Sequence, residues 1–274
     1  VLIKRLLRNK LSIIGAIIVL VIVLVAFLSS FLAPYDPLKI SISSRIEPPS
    51  KAHLFGTDQF GRDVYSRLLY GTKVSLKVGV YSVVLGTVIG IILGCAGGYF
   101  GGWIDYIVVL IIDTIIAFPA TVLAIGLMAV IGPKLENVII ALAIISIPRY
   151  GRVIRGSVLS IKEKEYIEAA RALGSGHLKI ILIHVLPNSI APLIIVTTIG
   201  VANAVLIEAA LSFLGLGVPP PAPSWGNILA DGRNYLLQAP WMTIFPGLAI
   251  SIMVLGFNTL GDGIRDILDP KLKQ

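Results

Sequence analysis

Six long apolar runs separated by short polar stretches divide this chain: Leu11 to Ala33, Val74 to Ala96, Ile104 to Ile131, Glu136 to about Arg155, Ser189 to Leu214 and Trp241 to Gly261. A helix rises ~1.5 Å per residue, so the first run of about 23 residues covers the ~30 Å hydrocarbon core of a bilayer. It reads as a retained anchor, because its apolar core is long and Ala33-Pro34 does not resemble a small-residue cleavage site. Pro119 predicts a kink in the third run. The fourth is the most polar: its strictly apolar part ends at Ile147 and Pro148, and Arg149, Arg152 and Arg155 follow at helical spacing, long enough to snorkel to the interface. The pattern predicts an all-α integral membrane protein of six helices.

Charge then orients the spans. Lys4, Arg5, Arg8 and Lys10 precede the first run, and Arg149, Arg152, Arg155, Lys162, Lys164, Arg171 and Lys179 crowd the loop between the fourth and fifth. The positive-inside rule places both groups in the cytoplasm, and six crossings return Lys271 and Lys273 there, so both termini are expected inside a cell membrane. The segment 34–73 is expected outside although it holds six basic residues, since it is long and also carries four acids. Residues 1–73 then form a tail, anchor and external segment, and 74–274 a core of five helices.

Composition narrows the classes. A mean hydropathy of +0.91 and 56% hydrophobic residues exclude a soluble domain with a wet surface. The net charge of +8 flanks the apolar runs rather than forming one patch, which argues for lipid contact and against nucleic acid. Cys95 is the single cysteine, and His53, His177 and His184 have no metal-ligand spacing, so no metal site is expected. Neither a phosphate-binding G-x-x-x-x-G-K-[ST] loop nor a G-x-S-x-G elbow occurs, which leaves an intramembrane enzyme without visible machinery.

Within the spans, Gly86, Gly90, Gly94 and Gly98 repeat every four residues and form a smooth stripe suited to close helix packing, inside this chain in preference to a subunit interface. Asp113, Glu208 and Asp262 are acids in or near apolar runs, where burial requires a partner or water. Asp262 is expected to pair with Arg265. Asp113, six residues before Pro119, is a candidate for lining a path or for bonding a partner subunit, and Asn203 and Asn258 for bonds between helices. The segment Pro219-Pro220-Pro221-Ala222-Pro223-Ser224-Trp225 excludes helix and favours an extended polyproline-like path, with Trp225 and Trp241 placed as interfacial residues.

The charged interruption between the fourth and fifth runs, EYIEAARALGSGHLKIILIHVLPN, is the most informative string in the chain. Tyr166, Ala169, Ala170 and Leu173 lie at i, i+3, i+4 and i+7, with Glu165, Glu168 and Arg171 off that stripe, so a short helix stopped by Gly174 and followed by a second helix is predicted. The string closely resembles the EAA signature of ABC-transporter permease subunits: Glu168-Ala169-Ala170, three residues, Gly174, nine residues, His184, a spacer, then Leu186-Pro187. Three further stretches, His53 to Gly79, Glu208 to Leu229 and Phe257 to Pro270, are similar to the dipeptide, oligopeptide and nickel branch of those permeases. His184 replaces the Ile common in the wider family, and Leu110 stands where an Arg often precedes Asp113.

The resemblance implies the type I importer permease fold and a non-catalytic subunit. It implies that Tyr166, Glu168, Ala169, Ala170, Arg171, Leu173, Gly174, His184 and Pro187 form a coupling loop docked on an ATPase. It also implies a second homologous permease, two cytoplasmic ATPase subunits that bind ATP and Mg, an extracytoplasmic substrate-binding protein, and no cofactor bound by this chain. The loop of Pro219, Pro220, Pro221, Pro223 and Trp225 would then form an external gate, and Asp113, Pro119, Asn203, Glu208 and Asn258 are translocation-path candidates. Peptide is the expected cargo, with nickel, glutathione or oligosaccharide as alternatives. From another class, the acids permit a proton-coupled secondary transporter, although no internal repeat supports it.

Overall fold

A computed structural model describes residues 10–268, so Lys4, Arg5, Arg8, Lys271 and Lys273 lie outside the described residues. Among the described residues nine helices follow in order: α1 (Lys10–Leu32), α2 (Val64–Phe100), α3 (Gly102–Ile116), α4 (Ala120–Ile131), α5 (Leu135–Lys162), α6 (Glu165–Ala172), α7 (His177–Phe213), α8 (Trp225–Gly232) and α9 (Trp241–Leu268). Single 3₁₀ turns occur at Ile42–Ser44 and Arg233–Tyr235. Helices α1, α2, α5, α7 and α9 are each long and apolar enough to cross a membrane, and α3 with α4 supplies a sixth crossing if taken as one broken span.

That broken span departs from a simple kink. Pro119 has no N–H to donate and disfavours a helical residue before it, so α3 ends and α4 leaves at 90° with Pro119 as its first-turn cap (φ −54°, ψ 132°). Pro148 is tolerated within α5, which runs on to Lys162, because a buried helix in lipid finds other partners for the freed carbonyl. In α7 the missing N–H of Pro187 coincides with a π-helical turn over Ile181–Val185, and the Asn188 side chain donates to the His184 carbonyl at 2.6 Å.

Helix α2 begins well before its apolar run. Asp63 caps it, its Oδ2 accepting from the Ser66 N–H at 2.7 Å and its Oδ1 meeting His53 Nδ1 at 2.9 Å. Gly101, at φ +69°, ends it. At ~1.5 Å per residue its 37 residues reach about 55 Å, so α2 projects beyond the ~30 Å core. The division at 73/74 falls inside this continuous helix.

The four-residue glycine repeat of α2 lies along α5. A Cβ on Gly90 would stand 2.7 Å from Tyr150 Cβ and 3.0 Å from Gly151 N; on Gly94, 2.7 Å from the Gly151 carbonyl; on Gly86 and Gly98, 2.9 and 3.0 Å from the Ala143 and Arg155 carbonyls. The two backbones therefore approach as no larger residue permits. Helix α1 seats on α9 by the same device, Gly15 facing the Leu260 backbone and Gly256 facing Ile18. The common core gathers Val78, Val83, Ile154, Val158, Val201 and Val205 from α2, α5 and α7.

Gly90→Leu is expected to force α2 from α5 at a cost of about 1–3 kcal/mol or more from overpacking. Yield and thermal unfolding of the detergent-purified chain measure it, and wild-type values would refute the glycine contact.

Candidate functional site

At one end of the bundle the chain builds a rigid projection. Helix α6 places Glu165 and Glu168 in its first turn and Arg171 in its last, each favourable to the helix dipole. Gly174 at φ +80° ends it, and the chain turns into α7. The residue that seats α6 is Ile167, fully buried in the core, whereas the Tyr166, Ala169, Ala170, Leu173 stripe points largely outward. Tyr166 is 44% and Leu173 86% exposed, and Leu178 is 70% exposed beside them. Apolar exposure of this kind on a fixed element marks a contact surface.

Tyr99, at the end of α2, secures the projection. Its hydroxyl lies 3.0 Å from His177 Nδ1, and the Arg171 guanidinium sits over its ring at 5.4 Å. His184 faces Tyr166, ring centroids 6.5 Å apart. The Glu168 carboxylate is exposed and makes no hydrogen bond among the described residues, Pro187 is exposed on α7, and Ala169 leaves a flat approach. Tyr99 and His177 were not legible as site residues, since their meeting spans 78 positions.

The opposite end of α2 holds the proline-rich segment. Trp225 is not interfacial: it is 2% exposed, its indole N–H donates to the Leu68 carbonyl at 3.1 Å, and its backbone N–H donates to Ser75 Oγ at 3.2 Å. Ser224 caps α8 with a reciprocal Asn227 bond. Trp241 is half-buried and donates to the Thr57 carbonyl at 3.0 Å. A turn at Pro220–Pro221, joined by a cis peptide, interrupts the extended path predicted there; Pro221 is exposed, Pro219 half-buried and Pro223 buried.

Glu208 belongs to this end. It is fully buried, and its Oε1 accepts from Ser212 Oγ at 2.7 Å and Ser224 Oγ at 2.9 Å, tying α7 to the start of α8. The same end holds a charge cluster that sequence reading missed. Asp58 Oδ2 accepts from Arg62 Nε at 2.6 Å and lies 3.5 Å from Arg67 Nε, while both arginines reach Asp231 Oδ2, at 3.4 and 3.5 Å. Burial pushes the Asp231 carboxyl above the usual carboxylate range, against the pull of Arg67 and Arg62. The Asp58–Arg62 spacing was visible; the reach to Asp231 was not.

The remaining interior candidates separate. Asp113 finds Arg152 within this chain at 2.6 Å, both half-exposed, so Arg152 does not merely snorkel. Arg155 grips Asp105 through two bonds, at 2.5 and 2.6 Å. Asp262 and Arg265 are both exposed, and Asp262 pairs with no charged group among the described residues, Arg265 included, where a pair between the two is expected from the sequence. Asn203 lines a cavity of about 390 Å³ between α2, α4, α5 and α7, whereas Asn258 is half-buried on α9, away from it. Leu110 is 54% exposed.

A multi-pass helical bundle with a braced projection at one end and a pinned loop at the other has the architecture of a type I ABC importer permease. Residues 86–274 match the family of binding-protein-dependent transport system inner membrane components, and residues 2–49 match the N-terminal TM domain of oligopeptide transport permease C. The chain belongs to that inner membrane component family, in its peptide-type branch. The dipeptide transport system permease protein DppC of Alkalihalophilus pseudofirmus is 46% identical over 270 residues, covering 98% of this chain and 89% of that protein. The glutathione transport system permease protein GsiD of Pectobacterium atrosepticum is 43% identical over 271 residues, covering 98% and 90%. A chain of the inward-facing MetNI methionine ABC transporter shares the fold, with TM-score 0.58 at 22% identity over 73% of this chain and 95% of that one.

Glu208→Leu leaves the Ser212 and Ser224 hydroxyls without their acceptor, at about 1–3 kcal/mol for each stranded group. Faster proteolysis of the 214–240 segment is expected, with Glu208→Gln, which keeps an acceptor oxygen, near wild type; equal protection in both variants would rule the bond out as the tether.

Proposed function

We propose that this chain is the pore-forming permease subunit of an ATP-driven importer that moves peptides delivered by an extracytoplasmic binding protein. The exposed apolar face of α6, braced by Ile167 and the Tyr99 contacts, is the observation that carries this reading. A solvent-facing Tyr166, Leu173 and Leu178 on a fixed support gains stability by docking, and the bearer of the energy is an ATPase subunit of the transport system. In the assembled importer two such ATPases hold ATP and Mg, a second homologous permease completes the path, and this chain binds no cofactor. The distribution of basic residues supports an orientation with the α6 end and both termini in the cytoplasm and the α8 end outside, toward the binding protein. Its role is conformational: nucleotide-driven closure is passed through α6 to the spans, and no residue performs covalent chemistry.

Dipeptide or oligopeptide is the cargo favoured by the DppC relative, and the GsiD relative keeps glutathione as the second reading. Nickel and oligosaccharide have no supporting feature in the chain. A proton relay is disfavoured because Asp113 is bonded to Arg152 and Glu208 to two serines, with no hydrogen bond joining the acids among the described residues.

Uptake of a radiolabelled dipeptide by proteoliposomes holding the complete complex tests the reading; it is expected to require ATP and to persist with a protonophore, and protonophore-sensitive uptake without ATP would replace it. Gly174→Leu sits in open space but at φ +80°, so it carries a backbone penalty of about 1–2 kcal/mol that tilts α6. Hydrolysis that no longer responds to loaded binding protein, together with lost uptake, is expected; full coupling in this variant would remove α6 from the docking role.

A further inference from the structure

Three arginines follow Pro148 on α5 at intervals of three residues, and two of them are neutralised from α3: Arg155 by Asp105 and Arg152 by Asp113. Arg149 is not. It stands at the midpoint of the 28-residue α5, opposite the place where α3 has ended and the chain turns through 90° at Pro119. No carboxylate lies within 4.0 Å of it among the described residues. Arg149 is exposed on the described chain, and a cation on a spanning helix without a counter-ion calls for a function.

Arg149 lines the cavity of about 390 Å³ together with Ser82, Ser146, Asn203 and Ala120, the remaining walls being largely apolar. The two serines have committed their hydrogens to their own helix, Ser82 Oγ to the Val78 carbonyl at 2.7 Å and Ser146 Oγ to the Ala143 carbonyl at 2.8 Å. The Asn203 amide makes no hydrogen bond among the described residues and is exposed into the space. The polar groups left facing the cavity are therefore the Arg149 guanidinium, the Asn203 amide and the Tyr150 hydroxyl, of which the first two form a pair suited to a carboxylate.

We propose that Arg149, assisted by Asn203, receives the carboxylate of the cargo as it passes this cavity, and so selects carboxylate-bearing cargo. The inference rests on the importer reading above. A carboxylate entering an apolar passage loses its hydration, and a planar guanidinium replaces that hydration with two parallel donors. A free metal cation is repelled by the same charge, and an uncharged sugar gains nothing specific from it. The site has one cation, one amide and one hydroxyl, without a closing shell, which suits a passage where a bound group must also leave.

The complete complex, reconstituted with saturating loaded binding protein and a dipeptide with a free C-terminus, provides the test. Absence of dipeptide uptake by the wild type would count against the proposed function itself, and leaves the Arg149 assignment to be read with a tripeptide or glutathione in the same assay. With uptake present, Arg149→Gln is expected to lower it by roughly tenfold or more, the loss typical of a charged hydrogen bond, while ATP hydrolysis still responds to the binding protein. Arg149→His is expected to recover uptake relative to wild type between about pH 8 and pH 6, as the imidazole gains its charge. Wild-type uptake by the Gln variant, or a pH-independent ratio for the His variant, overturns the proposal. Failed assembly of the Gln variant with a flat His ratio would instead assign Arg149 to a subunit contact.

Discussion

The backbone-to-backbone contact between α2 and α5 is the constraint on which the rest of the structure depends. Four glycines on one face of α2 let the carbonyls of Ala143, Gly151 and Arg155 come within contact distance, so the pair moves as one body. In lipid this closeness matters more than apolarity, because hydrocarbon surrounds the helices whether or not they touch. Dispersion gained across a smooth groove then holds the pair together, and everything at either end of α2 inherits its rigidity.

Both functional ends are fastened to that rod. Tyr99 holds α6 through His177 and Arg171, and Leu68, Ser75 and Arg67 hold the loop through Trp225 and Asp231. The fastenings differ in kind because their surroundings differ. The α6 end uses one buried aliphatic residue and aromatic contacts, which leave its outer face apolar and exposed. The α8 end uses one buried and one half-buried indole, serines and a four-membered charge cluster, which fix a loop that its prolines alone cannot order into a helix. In the proposed importer a displacement imposed on α6 would reach the external loop along one continuous helix.

The interior shows how the chain handles charge away from water. Asp105 and Asp113 are matched with Arg155 and Arg152, and Glu208 with two hydroxyls, so each acid has a local partner. The break at Pro119 removes the stretch of α3 that would have met Arg149 next. One proline thus turns α4 through 90° and leaves Arg149 facing the cavity without a carboxylate from α3.

Much of this was written in local pattern. Run lengths and flanking charge specified a multi-pass helical protein, the spacing of Glu168, Ala169, Ala170 and Gly174 specified a short helix with a glycine stop, and the four-residue glycine repeat specified a close helix contact, because these depend on neighbours within a turn or two of the chain. Pattern could not say that Ile167 rather than the Tyr166 stripe would be buried, that Trp225 would leave the interface for the interior, or that Asp231 would meet arginines more than 160 positions away. The sequence by itself determined which segments are helical and where they stop; only tertiary packing decided which face of each is covered and which charges are paired, since burial and Coulomb partners are properties of separations in space that no local spacing encodes.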